Sequence, residues 1–153
     1  MSEHDRPSGF PWPPVVTLAG IIAMVVLGRL FPVEPSPRLL QPVGVVLVVL
    51  ALALDVWVLM IFRRHKTTIR PDRGASALVT TGPFAVSRNP IYVANLALLL
   101  GIGIATRNVW ALPSIAAVFL LIDRLAAAPE ERHLAAVFGR DFEDYRQRVR
   151  RWL

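Results

Sequence analysis

Twenty consecutive residues, Val43 to Phe62, carry a single charge, Asp55. At about 1.5 Å per residue, a helix of that length is about 30 Å long, the thickness of the hydrocarbon layer of a bilayer. A second run, Val15 to Phe31, opens after Pro13-Pro14 and is interrupted only by Arg29 near its end, where the long side chain reaches the interface. Hydrophobic residues make up 54% of the chain and charged residues 18%. Because they are gathered into runs, the composition points to one membrane domain rather than a water-soluble core. No cysteine occurs, which excludes a disulfide framework, a thiolate metal site and a nucleophilic thiol.

The charges lie between the runs. Seventeen basic residues, sixteen of them Arg, face eleven acids and give a formal charge of +6. In a chain with spanning helices, such an excess marks the cytoplasmic loops, and nucleic acid is not the expected partner. The segment from Arg63 to Pro90 holds Arg63, Arg64, Lys66, Arg70, Arg73 and Arg88 against one acid, Asp72, and is assigned to the cytoplasmic side. The proline-rich stretch from Pro32 to Pro37 reads as the turn on the opposite side. Acids mixed with bases in Met1 to Ser8, and the lack of a small-residue cleavage site after the first run, argue against a removable signal peptide.

Two shorter apolar runs follow, Ile91 to Thr106 and Val109 to Ile122, joined at Arg107-Asn108. Their spacing predicts an antiparallel helical hairpin, short for a full crossing unless tilted or extended by Leu125 to Ala128. Beyond Pro129, Leu134, Phe138, Phe142, Tyr145, Val149 and Trp152 recur at helical spacing, with Arg132, Arg140, Glu143 and Arg150 opposite. This stripe predicts an amphipathic helix at the cytoplasmic surface, open to a break at Gly139. The expected fold is all-α: about four transmembrane helices, the last two a short hairpin, and a cytoplasmic C-terminal helix. Residues 1–153 read as a single membrane domain, with an N-terminal two-helix part over 1–62 and a second part over 63–153.

Two charged segments therefore meet on one side of the membrane. Taken singly, their motifs have plain structural explanations. In Arg88-Asn89-Pro90-Ile91-Tyr92, Asn suits an N-cap, Pro the first helical position, and Tyr the interface. In Pro129-Glu130-Glu131, two carboxylates complement the positive end of a helix dipole. Asp55 reads first as a structural hydrogen bond or ion pair, with Arg29 as one partner, and second as an ion or proton site. His65 and His133 have no further ligand at metal-binding spacing.

The order of the pieces is more specific than any one of them. Thr80-Thr81-Gly82-Pro83-Phe84 precedes Arg88-Asn89-Pro90-Ile91-Tyr92, then comes the hairpin, then Glu130-Glu131 with Leu134, Phe138-Gly139 and Tyr145. This resembles the isoprenylcysteine carboxyl methyltransferase and phospholipid methyltransferase family of integral membrane enzymes, from about Phe62 through Trp152, including Thr67 or Thr68. Two positions depart from the family pattern. Asn89 stands where the family most often has His, which keeps hydrogen bonding but removes titration. Ala94 stands where Gly is common, adding a methyl group to a close approach.

The resemblance implies methyl transfer from S-adenosyl-L-methionine to a lipophilic small molecule or lipid, with membrane lipids as surroundings. Carboxylate, amine and thiol acceptors all fit. It implies cofactor contacts at Gly82, Pro83, Phe84, Arg88, Asn89, Pro90, Tyr92, Glu130 and Glu131. Arg88 and Asn89 take the donor's carboxylate, and Glu130 or Glu131 its amino group or ribose. Glu130, Glu131 and Arg146 are the catalytic candidates, with Arg146 or Arg150 holding an acidic acceptor; no metal is implied. The alternatives are a small polytopic transporter or proton-coupled channel subunit using Asp55, and a degenerate relative kept as a scaffold.

Overall fold

A computed structural model describes residues 12–33, 37–64 and 78–153. The expectations for the N-terminal eleven residues, the centre of the proline-rich turn, His65, Thr67, Thr68 and the basic residues from Lys66 to Arg73 lie outside the described residues. Helix α1 is Trp12–Leu30 and α2 is Gln41–Arg64, entered through a 3-10 turn at Arg38–Leu40. A second 3-10 turn, Gly82–Ala85, leads to α3, Pro90–Ala105. Helix α4, Ala111–Ile122, runs through a π turn, Asp123–Ala127, into α5, Ala128–Phe138, and α6 is Arg140–Arg148. No strand occurs among the described residues beyond one parallel bridge between Ser87 and Arg150.

Among the described residues, three helices are long and apolar enough to cross a membrane: α1, the 27 residues Arg38–Arg64, and the 28 residues Ala111–Phe138. The fourth apolar helix, α3, has 16 residues. The hairpin is present but unequal, because the helix after Asn108 does not stop at Ile122. Pro129, expected to open a separate helix, sits inside a continuous one. Proline has no N–H to offer the carbonyl four residues back, and its ring crowds that carbonyl. The π turn immediately before absorbs the mismatch, with the Ala128 amide bonded five residues back to Asp123.

Helix α3 is the centre of the packing, with α2 along one side and α1 and α4 along the other. Its contact with α2 is backbone-close: a methyl group at Gly44 would run into the Ala105 backbone and lie 2.7 Å from the Gly101 carbonyl oxygen. Small residues allow this approach, so dispersion along the helices acts where lipid removes the hydrophobic drive. Met24, Leu99, Val118 and Ile122 form the main core between α1, α3 and α4. The outward faces of α1 and α2 expose Leu18, Ile22, Val26, Val45, Val49 and Val56, a surface suited to lipid. The amphipathic stripe holds through Val149, with Phe142, Tyr145 and Val149 packed against Leu78, Leu134 and Phe138. It breaks at Gly139, whose φ of +52° only glycine adopts freely. Trp152 leaves the stripe: the chain is extended after Arg148, and its indole packs on Phe119 at 4.8 Å between centroids.

Candidate functional site

The chain approaching α3 and the chain end run side by side. Gly82 turns at φ +64°, Pro83 and Phe84 are buried, and Phe84 packs on Phe62 of α2 at 5.4 Å. From this seat the backbone continues extended past Ser87. The Arg88 amide donates to the Arg150 carbonyl at 3.0 Å. The Arg151 carbonyl accepts from both Ser87 Oγ and Asn89 Nδ2, each at 3.1 Å. Tyr145 adds a clasp, its hydroxyl donating to the Phe84 carbonyl at 2.7 Å. Burial pushes that phenol up to about 12. Asn89 therefore begins α3 without capping it through its side chain; the amide holds the chain end instead.

This arrangement brings four charged side chains into a row. Arg151 grips Glu131 with a two-pronged contact, Nε to Oε1 at 3.1 Å and Nη2 to Oε2 at 2.6 Å. Its remaining arm, Nη1, pairs with Asp123 of the π turn at 3.1 Å. Arg88 touches Glu131 only end-on, Nη2 to Oε1 at 3.2 Å, and both of these side chains are 10% exposed. Arg88 Nε and Nη1 are buried with no hydrogen-bond partner among the described residues. Burial lowers the Arg88 pKa, opposed by the Glu131 charge, whereas the hydrogen bonds that Arg151 donates to Glu131 raise that of Arg151. Two N–H donors left without acceptors in so enclosed a place cost about 1–3 kcal/mol each, which an added anion would recover.

Glu130 points elsewhere. It lies on the exposed flank of α5, where its Oε2 accepts from the Tyr92 hydroxyl at 2.6 Å, joining the first turns of α3 and α5. The two glutamates are thus divided, one inward among arginines and one outward beside a tyrosine.

Among the sequence-derived candidates, Arg88 and Asn89 meet Glu131 and Arg151 respectively, Tyr92 pairs with Glu130 on the outward flank, and Pro90 starts the helix that carries Tyr92. Gly82, Pro83 and Phe84 shape the turn against α2 and are tied to the cluster by the Tyr145 clasp on Phe84 and by the Pro83 carbonyl, which accepts from the Ser87 amide at 3.1 Å. Arg146 stays on the exposed face of α6, paired with Glu143 at 3.0 Å, and Arg150 is exposed. Three members were not foreseen: Ser87, Asp123 and Arg151. Asp123 carried one sequence signal, a carboxylate directly after an apolar run. Asp55 Oδ1 is buried without a hydrogen-bond partner, and no ion pair joins it to Arg29 among the described residues. A cavity of about 250 Å³ lies beside the clasp, lined by Thr80, Ala85, Tyr145, Arg148 and Val149.

A model of the family described as phospholipid methyltransferase matches residues 40–141. The chain is 35% identical over 77 residues to the cobalt-zinc-cadmium resistance protein CzcN of Cupriavidus metallidurans, covering 50% of this chain and 35% of that one. It is 32% identical over 77 residues to the nickel-cobalt-cadmium resistance protein NccN of Alcaligenes xylosoxydans xylosoxydans, covering 50% and 36%. The chain spans about a third of the length of these curated relatives. No solved structure matches it.

Proposed function

The chain belongs to the phospholipid methyltransferase family, and from that premise we propose that it transfers a methyl group from S-adenosyl-L-methionine to a lipophilic acceptor. The observation that carries this reading is Arg88, a buried guanidinium with two donors unmatched at the start of α3. Anionic oxygens are the natural complement of unmatched guanidinium N–H groups, and the carboxylate at the amino-acid end of the donor supplies them. Glu130 takes the donor's cationic side, because it meets the Tyr92 hydroxyl rather than an arginine, whereas both Glu131 oxygens are already held by arginines. Asn89 and Pro90 place the segment rather than bind through their own polar atoms.

The bound donor supplies a methyl group on a positively charged sulfur. The chain supplies alignment and shelter from water, which is what a displacement at carbon needs most. Tyr92 and Glu130 sit where an acceptor arriving from the bilayer and a polar donor arriving from the cytosol would meet. On this reading residues 63–153 form the catalytic part and 1–62 its membrane scaffold. All four apolar helices span, and both termini, α6 and the 63–90 loop are cytoplasmic.

Calorimetry with S-adenosylhomocysteine tests the proposal on protein in lipid nanodiscs. Saturable micromolar binding is expected, weakened about tenfold or more by Arg88→Lys or Glu130→Gln, the usual range for a hydrogen bond to a charged group. No binding to the folded wild-type protein overturns it.

A second reading, a small transporter or proton-coupled subunit, draws on the unmatched Asp55 oxygen within α2 and on the relatives' names. Among the described residues no group of three or more His, Cys, Asp or Glu is placed to hold a metal ion. Asp55→Asn separates the readings: the enzyme keeps its cofactor affinity, and a carrier working through Asp55 loses metal tolerance in cells.

A further inference from the structure

We propose that Arg151 is a positioning residue that keeps Arg88 available to the donor's carboxylate by occupying Glu131; this rests on the methyltransferase reading above. The argument begins with a competition. A guanidinium beside a carboxylate prefers the forked, two-bond geometry over a single end-on contact. Arg88 is 3.2 Å from Glu131 and makes only the end-on contact, although both side chains are enclosed. The reason is visible in the partner. Arg151 already holds both Glu131 oxygens, at 3.1 and 2.6 Å.

Arg151 is itself fixed from three directions. Asp123 on the π turn holds Nη1, and Ser87 and Asn89 hold its backbone carbonyl. Ser87 and Asn89 flank Arg88 in sequence, and the Arg88 amide is bonded to Arg150. The two arginines therefore sit on paired extended segments, in fixed relation, on either side of one carboxylate. With Arg151 in place, Arg88 Nε and Nη1 stay uncommitted. Without it, nothing prevents Arg88 from turning its fork onto Glu131 and closing the anion site with a side chain of the protein itself. Arg151 touches neither donor nor acceptor in this scheme; it acts through Glu131.

A pair of ligands that differ in one group provides the test: S-adenosylmethionine, and its decarboxylated form, which keeps the sulfonium, amine and adenosine. Both are titrated calorimetrically into the 153-residue chain in nanodiscs. Arg151→Gln is expected to weaken S-adenosylmethionine about tenfold, the middle of the range for residues sharing one ion-pair network, and to leave the decarboxylated compound unchanged. Arg151→Lys serves equally if the glutamine variant does not fold. It keeps the charge and every backbone bond of the chain end, but cannot fork, and the same selective loss is expected. Adding Glu131→Gln to Arg151→Gln removes the competing carboxylate and should restore part of the affinity for S-adenosylmethionine. A merely structural Arg151 gives the opposite pattern: equal losses for both ligands, and a double variant worse than the single one. Either of those results, or an Arg151→Gln protein that binds like the wild type, overturns the proposal. Failure of the wild-type protein to bind either ligand is a separate result, which removes the methyltransferase reading and this proposal with it.

Discussion

Neighbouring residues of one type have different work here because a helix turns by about 100° between them. Glu131 points inward to Arg88 and Arg151, while Glu130 faces out beside Tyr92. The two tyrosines divide in the same way, since Tyr145 holds the 3-10 turn through the Phe84 carbonyl. Tyr145→Phe leaves that buried acceptor unmatched and is expected to cost about 1–2 kcal/mol, read from unfolding by dodecyl sulfate titration. The phenol also sets a pH window. Its folded pKa is raised, to about 12, above the ordinary tyrosine value near 10, so the folded state holds the proton more tightly. The stabilisation is complete below pH 10 and is lost as pH rises toward 12. A spectrophotometric titration of the wild type minus that of Tyr145→Phe should show one tyrosine ionising near 12; a difference step near 10 would contradict the clasp.

At the scale of elements, the apolar runs translated into helices because little else satisfies backbone groups in lipid. The amphipathic stripe was equally readable, since its spacing survives in the packing of Leu134, Phe138, Phe142, Tyr145 and Val149. The junction at Pro129 was not. Proline near acids resembles a helix start in any local window, and only the packing of α4 and α5 as one rod against the rest reveals a π turn before it. The site was legible to a similar degree. Arg88, Tyr92 and the two glutamates stand out through the family resemblance that the order of their motifs carries, whereas Arg151 comes in on an extended chain end that no periodicity announces and brings Asp123 of the π turn with it. The closest approach of two elements was also hidden, because a glycine in an apolar run carries no mark of what faces it. Gly44 lies on Gly101 and Ala105, so Gly44→Ala is expected to force α2 and α3 apart and cost about 1–3 kcal/mol. An unfolding midpoint unchanged from the wild type would show that the helices have room.

For the whole molecule, the decisive question is which side of the membrane each end of the bundle faces, because the proposed polar donor would have to reach the charged cluster from the cytosol. The positions at the two ends are well separated. The turn before α2 lies at the end of the bundle where Gln41 bonds the Ala105 carbonyl, and the charged cluster lies at the other end of α3. Basic residues crowd the cluster end: Arg63 and Arg64 close α2, and Arg146, Arg148, Arg150 and Arg151 lie in the last nine positions. By the bias of basic loops, the proposed topology puts that end on the cytoplasmic side. Since the chain has no cysteine, single cysteines report side without further changes. Leu39 is 86% exposed and Leu153 is 71% exposed, one at each end, and neither is part of the core. A membrane-impermeant maleimide applied to intact cells should label Leu39→Cys and spare Leu153→Cys, and inverted vesicles should reverse the pattern. Labelling of Leu153→Cys from outside would put the arginine and glutamate cluster on the wrong side for a cytosolic donor, and would move the explanation of this chain to the unmatched carboxylate of Asp55 within α2.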